Sequence, residues 1–178
     1  DATIDHFLPK SKHPDKVVEW ENLFPSCLRC NRKKNNREEI IVNPCENEPR
    51  EYLGIRNANR FRFKAIDSEG IGENTIDVIG LNDIERVMIP RMEEWESLEE
   101  RLIEIENDLK EDGFKQKYKN RLRKIMEECL PDMSYSATKA TNLLNDDTYS
   151  GIKNILIESD QWTDDLKELE KDIEHIAL

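Results

Sequence analysis

The sequence predicts an α+β protein: a small N-terminal β-loop-β-α unit followed by a mainly α-helical extension. Three observations predict it. Short apolar stretches interrupted by Pro9, Pro14 and Pro25 occupy the first residues, the run Arg60–Ile66 alternates with a period of two, and from Thr75 onward apolar residues recur every three or four positions. A period of two places alternate side chains on one face of a strand, whereas spacings of three and four build one stripe of a helix.

Taken in order, Ala2–Leu8 carries β-branched Thr3 and Ile4 and reads as a strand stopped by Pro9. Pro9–Lys16 is a polar loop. Val17–Phe24 is a second short apolar stretch, expected as a strand ended by Pro25. Cys27–Asn36 lacks Pro and Gly and predicts a short helix with Ser26 as its N-cap. Val42–Asn59, rich in Asn, Pro and Glu, reads as an irregular connection. Arg60–Ile66 then gives a strand, turned by Ser68, Gly70 and Gly72. A long helix is expected over 83–112 through Trp95, Leu98, Leu102, Ile105 and Leu109, stopped by Gly113. A second helix spans 114–130 through Tyr118, Leu122, Ile125 and Met126, ended by Pro131. A less regular region follows, then a helix near Ile152–Ile157 and a last stripe of Trp162, Leu166, Leu169, Ile173 and Ile176. These stripes read as packing faces rather than chemistry. The domain boundary is expected between residues 66 and 67.

The 178 residues fit one domain, or a small domain with a larger extension. No apolar run approaches the roughly 18 residues a membrane-spanning helix needs, so the expected partners do not include a membrane. The net charge of −12 is unevenly spread. Residues 1–64 hold 13 Lys and Arg against 10 Asp and Glu, a net of +3, and the rest carries 14 against 29, a net of −15. Binding of phosphates depends on local positive charge, so the N-terminal part is the expected working end and the acidic helices the expected docking body for a second protein. The sequence begins at Asp1, inside a motif and without an initiator Met, and an upstream start is expected to precede it. Without a secretory signal, the four cysteines, Cys27, Cys30, Cys45 and Cys129, point to a reducing cytoplasm, and the Cys27-x-x-Cys30 spacing to metal rather than a disulfide. His13 lies in a Pro/Lys loop and His175 on the last helix, with no partner motif for either.

The chemistry-bearing residues cluster at the start. Ile4-Asp5-His6-Phe7-Leu8-Pro9-Lys10-Ser11, followed by Trp20-Glu21-Asn22-Leu23-Phe24-Pro25-Ser26-Cys27-Leu28-Arg29-Cys30-Asn31-Arg32-Lys33-Lys34, resembles the HNH (ββα-metal, or His-Me finger) endonuclease family. The resemblance covers about the first 36 residues. It makes residues 1–66 an HNH nuclease unit and 67–178 a helical, partner-docking extension. It implies that His6, an imidazole able to titrate near neutrality, takes the proton of the attacking water. Asp5 and Asn31 would hold a hard catalytic cation, Mg²⁺ or Mn²⁺, on phosphoryl oxygens. Asn22 matches the family's middle Asn, a member of the catalytic set that would brace the loop or orient His6. Lys10, Arg32, Lys33 and Lys34 would bind neighbouring phosphates. Cys27 and Cys30 are candidate ligands of a structural Zn²⁺, but a closed site needs four. Three possibilities remain open: an upstream cysteine pair completes it, Cys45 and one more ligand complete it, or no zinc binds.

The longer string, continuing through Val42-Asn43-Pro44, Phe61–Ile66 and Ile79-Gly80-Leu81-Asn82, is similar to a narrower group, the HNH subunits of Septu-type anti-phage systems. This resemblance implies a DNA-cutting subunit held by an ABC-type ATPase (PtuA-like) and active in the cytoplasm during phage infection. Two other readings stay open: a zinc-stabilised, non-catalytic adaptor or nucleic-acid-binding module, and an RNA-directed nuclease of the same chemistry, since phosphate contacts do not read bases.

Overall fold

The protein was analysed as a computed structural model that describes residues 2–56 and 59–178. Two compact units emerge. One holds the described residues up to Arg56 together with Arg62–Val87, and the other holds Met88–Leu178 with the strand segment ending at Phe61. The class is α+β, with a ββα arrangement at the N-terminus and helices in the C-terminal part.

In the first unit, β1 (Ala2–His6) pairs antiparallel with β2 (Leu23–Cys27) in the register Thr3↔Ser26, Asp5↔Phe24, His6↔Leu23. Helix α1 (Leu28–Lys34) follows directly. Thr3 Oγ1 donates to the Ser26 carbonyl (3.0 Å), and the Phe7 and Phe24 rings lie 5.5 Å apart. Two local expectations are corrected here. The second strand does not span Val17–Phe24, where Trp20–Asn22 is a 3₁₀ turn and Val18 and Trp20 are 86% and 82% exposed; it begins at Leu23 and runs through Pro25. A two-stranded ribbon leaves each strand an outer edge, where the missing N–H of proline costs no pairing. The cap of α1 is Cys27 rather than Ser26: Cys27 Sγ accepts the Cys30 N–H at 3.2 Å.

The connection expected over Val42–Asn59 contains a strand, β3 (Leu53–Arg56), that forms a two-stranded sheet with β4 (Asn59–Ala65); residues 57 and 58 lie outside the described residues. The strand is too short for its period to stand out in an Asn/Pro-rich stretch. Asn82 secures β4 from the side, accepting from Phe63 N (2.8 Å) and donating to Phe63 O (2.9 Å). Helix α2 (Ile71–Thr75) is preceded by Asp67, whose carboxylate accepts from the N–H groups of Ile71 and Gly72. A side chain at position 72 would put its Cβ 2.3 Å from the Tyr52 carbonyl, so glycine is required there. A π-helical turn follows at Ile76–Gly80, and a second, Ile84–Met88, replaces the start of the long helix expected from residue 83. The buried apolar residues of this unit are Ile41, Val42, Leu53, Ile55, Phe63, Ile76 and Val78.

The second unit is a bundle of α3 (Ile89–Asp112), α4 (Gln116–Glu127), α5 (Ser136–Leu144), α6 (Asp147–Glu158) and α7 (Asp164–Ile176). Helix α3 packs on α4, α5 and α6, and α7 packs on α4 and α5. Its core is the set of stripes read from the sequence: Trp95, Leu98, Leu102, Ile105 and Leu109 with Tyr118, Leu122, Ile125, Met126, Ile152, Leu166 and Ile173. Helix α5 replaces the less regular region. Thr138, Lys139, Ala140, Thr141, Asn142 and Leu143 are consecutive and all buried, so the segment never showed one apolar stripe. Among the described residues no helix is long and apolar enough to cross a membrane.

Leu102 is fully buried, whereas its neighbour Ile103 is 46% exposed. Leu102→Ala is expected to lower stability by about 2–5 kcal/mol, the loss of burial plus a residual cavity, and Ile103→Ala by no more than about 0.5 kcal/mol. Urea unfolding followed by Trp fluorescence measures both, and equal effects would contradict the core as described.

Candidate active site

The end of β1 carries Asp5 and His6, and α1 lies across it with Asn31, Arg32 and Lys34. Between them opens a cleft of about 570 Å³, lined by Asp5, His6, Pro9, Lys10, Ser11, Asn31, Arg32, Asn35 and Asn36 with Ile4. Five of the residues singled out in the sequence, Asp5, His6, Lys10, Asn31 and Arg32, therefore share one cavity.

His6 points its Nε2 at the Val17 carbonyl, 3.1 Å away. A carbonyl oxygen only accepts, so Nε2 carries the proton and Nδ1 is the basic nitrogen. Asn22 is buried outside the cleft lining. Its Oδ1 accepts from Leu8 N (2.6 Å), and its Nδ2 donates to the carbonyls of Leu8 (3.2 Å) and Lys16 (3.0 Å). Of the two roles open to Asn22, bracing the loop is the one realised. It fixes the loop at Leu8 and Lys16, and the next carbonyl, that of Val17, meets the histidine. A backbone carbonyl has no side-chain signature, so Val17 was invisible in the sequence.

Asn31 Nδ2 donates to Thr3 Oγ1 and to the Ile4 carbonyl, both at 3.2 Å, which ties α1 to β1. Asp5 Oδ1 accepts from Lys34 Nζ (3.1 Å), and the same ammonium donates to the His6 carbonyl (2.5 Å). The other carboxylate oxygen of Asp5 and the amide oxygen of Asn31 have no protein hydrogen bond among the described residues. Two unengaged oxygens on a cleft wall fit a hard divalent cation, which takes carboxylate and amide oxygens and keeps its other positions for water and phosphate.

The expected phosphate-binding lysines divide. Lys34 is buried beneath Asp5 and turned away from solvent, because the partly buried carboxylate needs a counter-charge. Lys33 lies outside this cleft, with its side chain against Gly80. Lys10 and Arg32 remain exposed on the rim.

Cys27 and Cys30 are free thiols joined by the Cys30 N–H to Cys27 Sγ bond. Hydrogen bonding from Cys30 holds the Cys27 thiol below its ordinary range, and burial pushes Cys30 up to about 11. Among the described residues no three His, Cys, Asp or Glu side chains gather to hold a metal, so Cys45 does not complete a zinc site with the pair. Two thiols alone do not fit a closed zinc centre.

A ββα hairpin-helix with an imidazole, a carboxylate and an amide on one cleft defines an HNH-type nuclease unit, and the HNH endonuclease family matches residues 1–37. Over 186 aligned residues the chain is 32% identical to Septu protein PtuB of Bacillus thuringiensis, covering 98% of this chain and 70% of that protein. It is 34% identical over 112 residues to Septu protein PtuB of Bacillus mycoides (strain KBAB4), covering 44% of this chain and 37% of that protein. No solved structure gives a significant match. The chain belongs to the PtuB family of Septu proteins.

The Lys34–Asp5 pair joins a buried ammonium to a partly buried carboxylate, at 4% and 14% side-chain exposure. Lys34→Met would leave the carboxylate without a cation and the His6 carbonyl without a donor. The expected cost is about 3 kcal/mol, read by calorimetric unfolding. A loss under about 1 kcal/mol would mean that the ammonium does not hold α1 on β1.

Proposed function

We propose that this chain is the nuclease subunit of an anti-phage defence complex and hydrolyses phosphodiester bonds of DNA in the cytoplasm. The observation that carries the proposal is the His6–Val17 hydrogen bond, which leaves Nδ1 of the histidine as a base on the wall that also carries Asp5 and Asn31. His6 takes the proton of the attacking water. Asp5 and Asn31 would hold Mg²⁺ or Mn²⁺, which would supply charge neutralisation at the phosphoryl oxygens and the leaving alkoxide. Lys10 and Arg32 on the rim bind the flanking phosphates. Asn22 keeps the loop, and through it the imidazole, in one orientation. Structural zinc at Cys27 and Cys30 would draw its other ligands from beyond the described residues.

The helical part of the chain, with its excess of acidic residues, docks an ABC-type ATPase (PtuA-like) that delivers substrate and restrains the nuclease. This division of labour gives the activity an external control.

Removal of a general base slows hydrolysis by about 10²–10⁴-fold. With the purified complex and plasmid DNA, His6→Ala is expected to lower Mg²⁺- or Mn²⁺-dependent cleavage by that factor while the melting curve stays unchanged, and chelation of the cation to stop the wild type. Equal cutting by the folded His6 variant would end the proposal. Faster cutting of RNA than of DNA would transfer the same chemistry to the other polymer.

A further inference from the structure

A second cleft of the N-terminal unit, about 350 Å³, is lined by Lys33, Arg56, Arg62 and Lys64 together with Glu73, Asp77 and Asp83. Its basic wall is built by strand periodicity. Arg62 and Lys64 alternate with Phe61 and Phe63 along β4, so the two cations share one face of the sheet. Gly54 of the neighbouring strand lies under Lys64, where an added Cβ would meet the lysine at 3.3 Å, and Arg56, two residues on, falls on the same side.

Charge balance then favours an anion. None of the four cations makes a salt bridge among the described residues. Two of the three carboxylates are already engaged by arginines outside the lining: Asp77 by Arg37 (2.7 Å) and Asp83 by Arg86 (2.7 Å). The cleft is thus left with four cations and one unengaged carboxylate, Glu73. Helix α1 connects it to the active site, because Arg32 lines the first cleft and the next residue, Lys33, lines the second. Consecutive cations on one short helix thus open to different clefts of the same unit.

We infer that the cleft walled by Lys33, Arg56, Arg62 and Lys64 holds the sugar-phosphate backbone of the nucleic acid flanking the bond cut at His6. The inference rests on the nuclease reading and adds to it a second anchoring point, on the β3–β4 sheet. Its contacts are electrostatic and read no sequence.

The test is the salt dependence of binding of a labelled DNA duplex to the full chain in complex with its partner, without divalent cation, followed by cleavage once Mn²⁺ is added. Each lost phosphate contact makes the slope of log K against log salt shallower by about 0.9. The triple variant Arg56→Gln/Arg62→Gln/Lys64→Gln is expected to flatten the slope by about 2–3, to weaken binding about tenfold or more at moderate salt, and to keep the cleavage rate at saturating DNA. Arg56→Lys/Arg62→Lys is expected to restore the slope. Should the triple variant fail to fold, Arg62→Gln alone, at an exposed position, is expected to flatten the slope by about one. Wild-type binding and cutting with an unchanged slope in the folded variants overturns this inference alone, and so does a variant that loses only its protein partner. A wild-type complex that neither binds nor cuts DNA or RNA overturns the nuclease reading and this inference with it.

Discussion

The ammonium of Lys34 is the constraint on which the site depends. It sits at the end of α1, buried, and donates to the Asp5 carboxylate and to the His6 carbonyl. One cation thereby fixes the two adjacent residues of β1 against the helix that supplies Asn31. Adjacent residues on a regular strand face opposite ways, so two neighbours can line one cleft only where the strand ends. His6 is the last residue of β1, Phe7 N already reaches back to the Asn22 carbonyl, and the chain turns at Pro9. The lysine holds this strand end in place from below while the Asn22 amide holds the following loop from the side.

A unit of this size buries little apolar surface, and polar interactions make up much of what positions its functional groups. The Asn22, Asn31 and Asn82 amides each bridge backbone groups or side chains of separate segments, and Asp67 caps α2. Such contacts are directional where apolar packing is not, and they hold side chains in single rotamers. The helical unit works differently. Its core is a continuous apolar cluster from Trp95 to Ile173, and charged pairs such as Arg101–Glu128 lie around it.

That difference decides what could be read from the sequence. The helical stripes were legible because apolar periodicity encodes burial directly: Trp95, Leu98, Leu102, Ile105 and Leu109 all point to the core. Asp5, His6 and Asn31 were legible through their motif, and the structure brings them to one cleft. Four features were not. The β3 strand is four residues long, and α5 is buried all round, so neither has a one-sided pattern. The orienting carbonyl of Val17 belongs to the backbone. Lys33 and Lys34 looked like members of one basic cluster, yet consecutive helix positions point about 100° apart, one toward Gly80 and the other beneath Asp5.

The same helical angle explains how so short a helix serves several ends. Across its last turn α1 presents Asn31 to β1, Arg32 to the first cleft, Lys33 to the second and Lys34 to the buried carboxylate. The three cations also sit at the helix C-terminus, where the unpaired carbonyls favour positive charge, so gathering them there costs little in repulsion. A helix of seven residues has no room for a second copy of any of these functions. Its register against β1 is therefore a single choice: moving it by one residue would replace Lys34 with Lys33 beneath Asp5, turn Arg32 toward the second cleft and put Cys30 in place of the Asn31 amide that ties the helix to β1.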